Sequence, residues 1–344
     1  MSEENVVVSR RGRIGHLLLD RPRALNALDL PMVETIRAAL EAWRADPAVH
    51  AVVAEGAGGR AYCAGADVRA MRAAVLAGEP DKVEAFFAAE YGLDGLIAAY
   101  PKPFVALVDG VCMGGGVGLS AHGRFCVTSE AGLFAMPETA IAFFPDVGTT
   151  WLLPRLPGAL GCYLALTGAR LAGADAVHAG LATHFVPRAR LAELAAALAR
   201  DGVATLAEFA APLPPFTLAG ARAAIDRCFG QDTVADILAA LEREDTDWAR
   251  QTLAALRAAS PSAVCWAFAA LRRGAGLTLP RALAAELALT RTVTQHPDFA
   301  EGVRAQVVDK DRTPRWSPAR IEAVSPAATA AILGGPAGED MTAG

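Results

Sequence analysis

The sequence predicts an α/β fold with largely parallel strands, followed by a helical C-terminal region. Up to about residue 188, short apolar runs alternate with segments whose apolar residues recur at helical spacing. Beyond that point Ala, Leu, Arg and Glu dominate and the strand-like runs disappear. With 344 residues, 53% of them hydrophobic, the chain can bury a large core. Strands separated by helices pair in parallel.

Four apolar runs predict buried strands, and one segment between the first two predicts an amphipathic helix. Met32, Ile36, Leu40 and Trp43 recur at the spacing of one helix face. The predicted strands cover residues 14–19, 51–54, 104–108 and 125–128.

The change in composition predicts three parts along the chain. Residues 1–188 form the α/β core that holds the functional site. Residues 189–324 form several helices, interrupted by Pro and Gly. Residues 325–344 are rich in Ala, Gly and Pro and are expected to be a flexible tail.

Composition excludes several classes of protein. The net charge of −5, from 32 basic and 37 acidic residues, argues against a nucleic-acid partner. No apolar run reaches the ~18 residues of a membrane helix, so no membrane partner is expected. The acidic N-terminus does not resemble a signal peptide, and the six cysteines are scattered singly. We therefore expect a cytoplasmic protein without structural zinc or disulfides.

Two glycine-bearing turns are candidates for binding an oxygen atom. YCAGAD (62–67) precedes a helical pattern, and MGGGVG (113–118) follows the apolar run 104–108. Helix N-termini present unpaired N–H groups, so two converging turns can offer two donors to one oxygen. The alternative is that each is only a tight turn or a site of close helix packing. The spacing fits neither the dinucleotide fingerprint nor the P-loop.

Three carboxylates lie in apolar surroundings and are candidates for proton transfer. Glu138 and Asp146 lie in one Pro-interrupted apolar segment, and Glu90 shares a helix face with Phe86, Leu93 and others. Burial among apolar side chains raises the pKa of a carboxyl group towards the range useful in catalysis. Alternatively, Glu138 favours the first turn of a helix, Asp146 caps a turn, and Glu90 lies at the edge of an apolar stripe.

These motifs together resemble the crotonase (enoyl-CoA hydratase/isomerase) superfamily. The resemblance rests on CAGAD, on MGGGVG and on the upstream segment RPRALNAL. Within the superfamily, the run at 102–158 is similar to the 3-hydroxyisobutyryl-CoA hydrolase group. Further matching stretches lie at 165–168, 182–185, 296–304 and 309–316, so the resemblance spans most of the chain.

The resemblance implies a crotonase-type spiral of ββα units and a set of site residues. It places the oxyanion-hole amides at Ala66 and Gly115, and catalytic roles at Glu138 and Asp146. The substrate-contacting residues it implies are Glu90, Gly115, Glu138 and Asp146. Hydratases of this superfamily use two glutamates, and the position of the first is Gly118 here. Thr149-Thr150 also departs from the glycines expected in the hydrolase group.

The function implied is hydrolysis of a short β-hydroxyacyl-CoA thioester, with 3-hydroxyisobutyryl-CoA of valine catabolism favoured. Glu138 acts either as a nucleophile or as a general base, and no cofactor is expected because CoA is part of the substrate. The alternatives are a hydratase or isomerase of the same superfamily, and a non-catalytic acyl-CoA-binding protein. Superfamily members often assemble as trimers, so a homo-oligomer is a further expectation, left open by the divergent C-terminal region.

Overall fold

The computed structural model describes residues 5–334. Its ten strands are β1 (Val6–Arg11), β2 (Ile14–Leu19), β3 (Ala51–Gly56), β4 (Ala61–Cys63), β5 (Phe104–Val108), β6 (Val111–Met113), β7 (Phe125–Thr128), β8 (Leu133–Ala135), β9 (Leu171–Ala172) and β10 (His184–Phe185).

Sixteen α-helices accompany these strands in the described part of the chain. They are α1 (Leu30–Arg44), α2 (Val68–Leu76), α3 (Pro80–Ala98), α4 (Gly115–Ala121), α5 (Thr149–Leu152), α6 (Leu160–Thr167), α7 (Gly173–Ala179), α8 (Leu191–Asp201), α9 (Leu206–Phe209), α10 (Arg222–Phe229), α11 (Val234–Glu244), α12 (Asp247–Ala258), α13 (Pro261–Gly274), α14 (Leu279–Val293), α15 (Pro297–Val303) and α16 (Pro326–Ile332).

The strands form two sheets. The larger has the order β1-β2-β3-β5-β7-β10, in which only the β1/β2 pair is antiparallel. The smaller has the order β4-β6-β8-β9, with β8 and β9 antiparallel. The predicted α/β class and all four predicted strands are confirmed. The outer strands β1 and β10 of the larger sheet and all strands of the smaller sheet were not predicted. Apart from β1, each of these has only two or three residues, which is too short to show a period.

The parallel strands are almost fully buried, as expected when helices cover both faces of a sheet. One face of the large sheet packs against α8 through Val53, Val105 and Leu198. The other face joins the main core, where Trp43 of α1 and Phe104 of β5 are buried. Strand β4 of the smaller sheet packs against β3 and β5 of the larger one, and the two glycine turns begin at the ends of β4 and β6.

After β10 the described chain contains helices and no further strands. Helix α14 packs on α3, and α15 packs on α2, so the helical region covers the elements that follow the first glycine turn. No single helix of the described residues is long and apolar enough to cross a membrane, although α12 and α13, bent by 106°, pass the length and composition test as a pair.

The segment from residue 325, expected to be a flexible tail, differs from that expectation at its start. Ser325 caps α16 by accepting a hydrogen bond from the amide of Ala328 at 3.1 Å. Ile332 and Leu333 pack against the core, and Arg273 donates to the Leu333 carbonyl. The remainder of the expected tail, residues 335–344, lies outside the described residues.

Candidate active site

The two glycine turns lie side by side at the ends of β4 and β6. Gly65 has φ +103° and Gly114 has φ +49°, so both turns use the left-handed backbone that glycine adopts at little cost. A Cβ placed on Gly65 would lie 3.2 Å from the Met113 carbonyl oxygen and 3.7 Å from the Gly115 nitrogen. The close approach of the turns therefore requires glycine at position 65.

The first turn is held from outside by residues 21–28. The Leu28 amide donates to the Gly65 carbonyl at 2.8 Å, and the Asp67 amide donates to the Leu28 carbonyl at 2.8 Å. Asn26, fully buried with φ +57°, donates from its side chain to the carbonyls of Ala57 and Ala61. These bonds leave the intervening Ala66 amide free to point away from residues 21–28.

Arg21 ties the same segment to the helix that follows the turn. Its guanidinium lies 2.8 Å from the Asp67 carboxylate and also donates to the Ala27 carbonyl. Asp67 in turn caps α2 by accepting from the Ala70 amide. Arg21 is thus part of the support of the site.

A pocket of about 240 Å³ opens in front of the two turns. The amides of Ala66 and Gly115 donate no hydrogen bond to any described residue, and both residues line this pocket. The other lining residues are Ala64, Gly65, Val68, Phe87, Glu90, Met113, Gly114, Pro137, Glu138, Ala140, Ile141, Phe143, Asp146, Phe299, Gln306 and Val307. All five sequence-predicted site residues therefore border one cavity.

Glu138 begins a short 3-10 helix, Glu138–Ile141, directly after Pro137. Its carboxyl group lies against the second turn, where a Cβ on Gly114 would be 3.0 Å from Glu138 Oε1. The side chain is 7% exposed, and Oε2 has no hydrogen-bond partner among the described residues. Burial raises the pKa of Glu138 well above its usual range, and the nearby Asp146 charge raises it further. Glu138 is thus a poorly solvated acid beside the free amides.

Asp146 lies in the loop that precedes α5 and is 4% exposed. Tyr91 of α3 donates a hydrogen bond from its hydroxyl to Asp146 Oδ2 at 2.6 Å. Burial raises the pKa of Asp146 to about 7, although the Tyr91 hydrogen bond lowers it. A carboxyl group with this pKa can both accept and release a proton near neutral pH.

Glu90 and Asp94 lie one helical turn apart on α3 and face the glycines of α4. A Cβ on Gly115 would collide with Glu90 Oε1, and a Cβ on Gly118 would lie 2.8 Å from Asp94 Oδ1. Neither carboxyl group has a hydrogen-bond partner among the described residues. Burial raises the pKa of both well above the usual range. Glu90 therefore borders the pocket, which agrees with the first of the two interpretations of its sequence position. Asp94 lies behind Glu90 and does not line the pocket.

Several residues of this site carried no signal in the sequence. Tyr91 bonds to Asp146 across a separation of 55 residues. Asp94 follows Glu90 by one turn of α3, but it meets Gly118 only because α3 packs against α4. Phe299 and Gln306 reach the pocket from the helical region. Contacts between distant elements leave no periodic pattern in a single sequence.

Comparison with known sequences identifies relatives over most of the chain. The sequence profile of the enoyl-CoA hydratase/isomerase family matches residues 14–333. A curated relative from Xenopus laevis, named 3-hydroxyisobutyryl-CoA hydrolase, mitochondrial, is 42% identical over 331 residues, which cover 93% of this chain and 86% of the relative. A relative of the same name from Homo sapiens is 40% identical over 334 residues, covering 94% and 86%.

Solved structures match the whole described architecture. A carnitinyl-CoA dehydratase from Mycobacterium thermoresistibile superposes with a TM-score of 0.93 at 41% identity, covering 96% of each chain. An enoyl-CoA hydratase from Rhodobacter sphaeroides superposes with a TM-score of 0.90 at 41% identity, covering 96% of this chain and 97% of the other. These structures carry hydratase or dehydratase names, whereas the curated relatives carry the name of a hydrolase.

Proposed function

The chain belongs to the enoyl-CoA hydratase/isomerase (crotonase) family, and we propose that it hydrolyses a short β-hydroxyacyl-CoA thioester. The favoured substrate is 3-hydroxyisobutyryl-CoA, whose hydrolysis to 3-hydroxyisobutyrate and CoA would serve valine breakdown. The relatives named as hydrolases support this substrate. The observation that carries the proposal is the buried Glu138 carboxyl group beside two amides that have no hydrogen-bond partner within residues 5–334.

In the proposed reaction the thioester oxygen binds between the Ala66 and Gly115 amides. Negative charge develops on this oxygen when the carbonyl carbon is attacked, and fixed N–H donors stabilise it without having to reorganise. Losing one such donor typically costs about 10²–10³ in rate. The backbone geometry of the two glycine turns is therefore the first requirement of the reaction.

Glu138 supplies the attacking group in one of two ways. As a nucleophile, its carboxylate bonds to the carbonyl carbon, CoA thiolate leaves, and water hydrolyses the resulting anhydride. As a general base, it takes a proton from water, and the hydroxide attacks the same carbon. Both routes require the carboxylate form of Glu138 next to the bound carbonyl.

Asp146 is proposed to move the second proton. With a pKa of about 7, it can donate a proton to the departing CoA thiolate and take one back from water. The Tyr91 hydroxyl fixes one of its oxygens. Glu90, which borders the same pocket, is proposed to contact the acyl group.

Hydration of a double bond, the main alternative, is disfavoured by the packing around Gly118. Hydratases of the family need a carboxylate at this position, and Gly118 has no side chain. A Cβ there would lie 2.8 Å from both Asp94 Oδ1 and the Val147 Cβ. Asp94 itself is fully buried and does not line the pocket, so it is not placed to present water to a substrate.

A free-thiol assay across a panel of short acyl-CoAs tests the proposal. We expect rapid CoA release from 3-hydroxyisobutyryl-CoA and slower release from the matched isobutyryl-CoA, which lacks the β-hydroxyl group. Crotonyl-CoA, followed by loss of its conjugated double bond, tests the hydratase alternative. Tight binding of acyl-CoA without thiol release would instead support the non-catalytic alternative.

Three further parts of the proposal concern cofactors, cellular location and oligomeric state. Every group in the proposed mechanism comes from the chain and the substrate, so we propose that no metal or redox cofactor takes part. A cytoplasmic location and a homo-oligomeric assembly also stay proposals, which cell fractionation and light scattering test.

A further inference from the structure

The loop that carries Asp146 has an unusual backbone in the two residues that follow. Val147 has φ +52° and Gly148 has φ +79°. Glycine adopts this left-handed region readily, but a β-branched residue does so only when its surroundings impose it. Val147 is fully buried, and its side chain packs against Gly118 of α4. The direction of the Asp146 side chain therefore depends on whatever holds this strained turn.

Two side chains from distant parts of the chain hold the turn. His122, at the end of α4, lies with its Nε2 2.6 Å from the Val147 carbonyl oxygen, and this nitrogen is the donor because the carbonyl can only accept. Glu286, on α14, accepts hydrogen bonds from the amides of Gly148 at 2.7 Å and Thr150 at 3.1 Å. It also accepts one from the Thr150 hydroxyl.

We propose that Glu286 and His122 are positioning residues, which hold the turn so that Asp146 meets Tyr91 and faces the acyl pocket. This inference rests on the proposed function, because it assigns them an effect on thioester hydrolysis. Neither residue lines the acyl pocket, so any effect on turnover must pass through the turn. Glu286 thereby links the helical region to the chemistry of the α/β core.

The arrangement also explains why the chain tolerates Thr149-Thr150 after Gly148. The Thr149 hydroxyl donates to the Asp146 carbonyl at 2.7 Å, closing the turn from within. The Thr150 hydroxyl and amide both donate to Glu286. The two threonines thus belong to the support of Asp146 and do not line the pocket.

Replacing Glu286 by glutamine tests the inference with little change in shape. The amide nitrogen of Gln cannot accept a hydrogen bond, so the turn loses an anchor on either Gly148 or Thr150. Because a displacement of about 1 Å can cost about 10²-fold in rate, we expect kcat to fall by about 10- to 100-fold. The Kd of a non-hydrolysable thioether analogue of 3-hydroxyisobutyryl-CoA should stay within about twofold, since the pocket lining is unchanged.

Glu84→Gln is the matched control. Glu84 forms an exposed ion pair with Arg291 at 2.7 Å between the same two helices, α3 and α14, and lies outside the site. We expect its kcat to equal that of the wild type. If Glu286 only stabilised the fold, Glu286→Gln would lower the melting temperature and leave kcat per mole of folded enzyme unchanged.

Two milder variants decide the matter if Glu286→Gln does not fold. Thr150→Val removes one donor to Glu286, and His122→Phe removes the donor to Val147. Each should lower kcat per folded enzyme by about threefold or more with the analogue Kd retained. Wild-type kcat in the folded variants would overturn the positioning role. Absence of thiol release by the wild-type protein would instead contradict the proposed function.

Discussion

At the scale of single residues, burial sets the chemistry of the pocket. Glu138, Glu90 and Asp146 border the same cavity, and burial is the largest cause of the raised pKa of each. No arginine or lysine lines the pocket among the described residues, so no positive charge offsets this cost. The carboxyl groups therefore favour their neutral forms. Glu138 must lose its proton before it acts, either when the substrate binds or when the pH is raised.

Glu138→Gln tests the role of the attacking group. Gln keeps the shape of the side chain but can neither form the anhydride nor accept a proton from water. We expect kcat to fall by about 10³-fold or more, with the Kd of a non-hydrolysable acyl-CoA analogue retained. A thiol reagent that detects released CoA measures kcat, and calorimetric titration with the analogue measures Kd. Normal turnover by this variant would refute the assigned role.

Asp146→Asn tests the electrostatic coupling between the two acids. The charge of Asp146 raises the pKa of Glu138, so removing it lowers that pKa. Because Glu138 must be deprotonated to act, the rise of kcat/KM with pH should move to lower pH in the variant. The maximal kcat should fall about tenfold, less than for Glu138→Gln. If kcat/KM of the variant rises over the same pH range as that of the wild type, this coupling is contradicted.

At the scale of elements, the site depends on two short strands that end in glycine turns. The turns were recognised in the sequence because their chemistry is local: glycine at the bend, small residues beside it and a helical pattern after the first turn. The fold class and the main strands are predicted by short apolar runs that alternate with segments of helical spacing. The strands β4 and β6 that present the turns are not, since each has only three residues.

Asn26→Gly tests the support of the first turn. Glycine keeps the left-handed backbone of Asn26, at φ +57°. It removes the two hydrogen bonds that the side chain donates to the carbonyls of Ala57 and Ala61, and the one that it accepts from the Arg21 amide. We expect the free energy of unfolding to fall by about 1–3 kcal/mol, since the Ala57 and Ala61 carbonyls lose a donor and the Arg21 amide loses its acceptor. We also expect kcat to fall about tenfold because the Ala66 amide loses its fixed position. Denaturant unfolding and the thiol assay measure the two effects, and an unchanged kcat would contradict the second.

At the scale of the whole molecule, the helical region completes the site. Glu286 on α14 and Phe299 on α15 reach the α/β core from more than a hundred residues away in sequence. The sequence predicts a helical region packed on the core, but it does not predict these contacts. The apolar pattern of a helix shows which face is buried, and it does not show which element that face packs against. Likewise the positions of Tyr91 and Asp94 in the site depend on how α3 packs against the Asp146 loop and α4, which a single sequence does not specify.

The buried acids also determine how stability depends on pH. The pKa of Asp94 in the folded protein lies well above its usual 3.8, so the folded protein holds a proton that the unfolded chain has released above about pH 4. The contribution of Asp94 to the free energy of unfolding therefore falls as the pH rises from about 4 towards the folded-state pKa.

Asp94→Asn should remove this dependence, because an amide has no proton to release. We expect its melting temperature to match that of the wild type near pH 4 and to exceed it by about 3 °C or more near pH 8. Calorimetric scans at both values measure the difference. A variant whose difference from the wild type is the same at both pH values would contradict the argument.

The most direct measurement is a crystal structure with a non-hydrolysable ketone analogue of 3-hydroxyisobutyryl-CoA bound. We predict that the ketone oxygen lies about 3 Å from the amide nitrogens of both Ala66 and Gly115. The Glu138 carboxylate should lie beside the ketone carbon, and Asp146 should keep its bond to Tyr91. An oxygen held by other groups, or a Glu138 side chain turned away from the ketone carbon, would contradict the account.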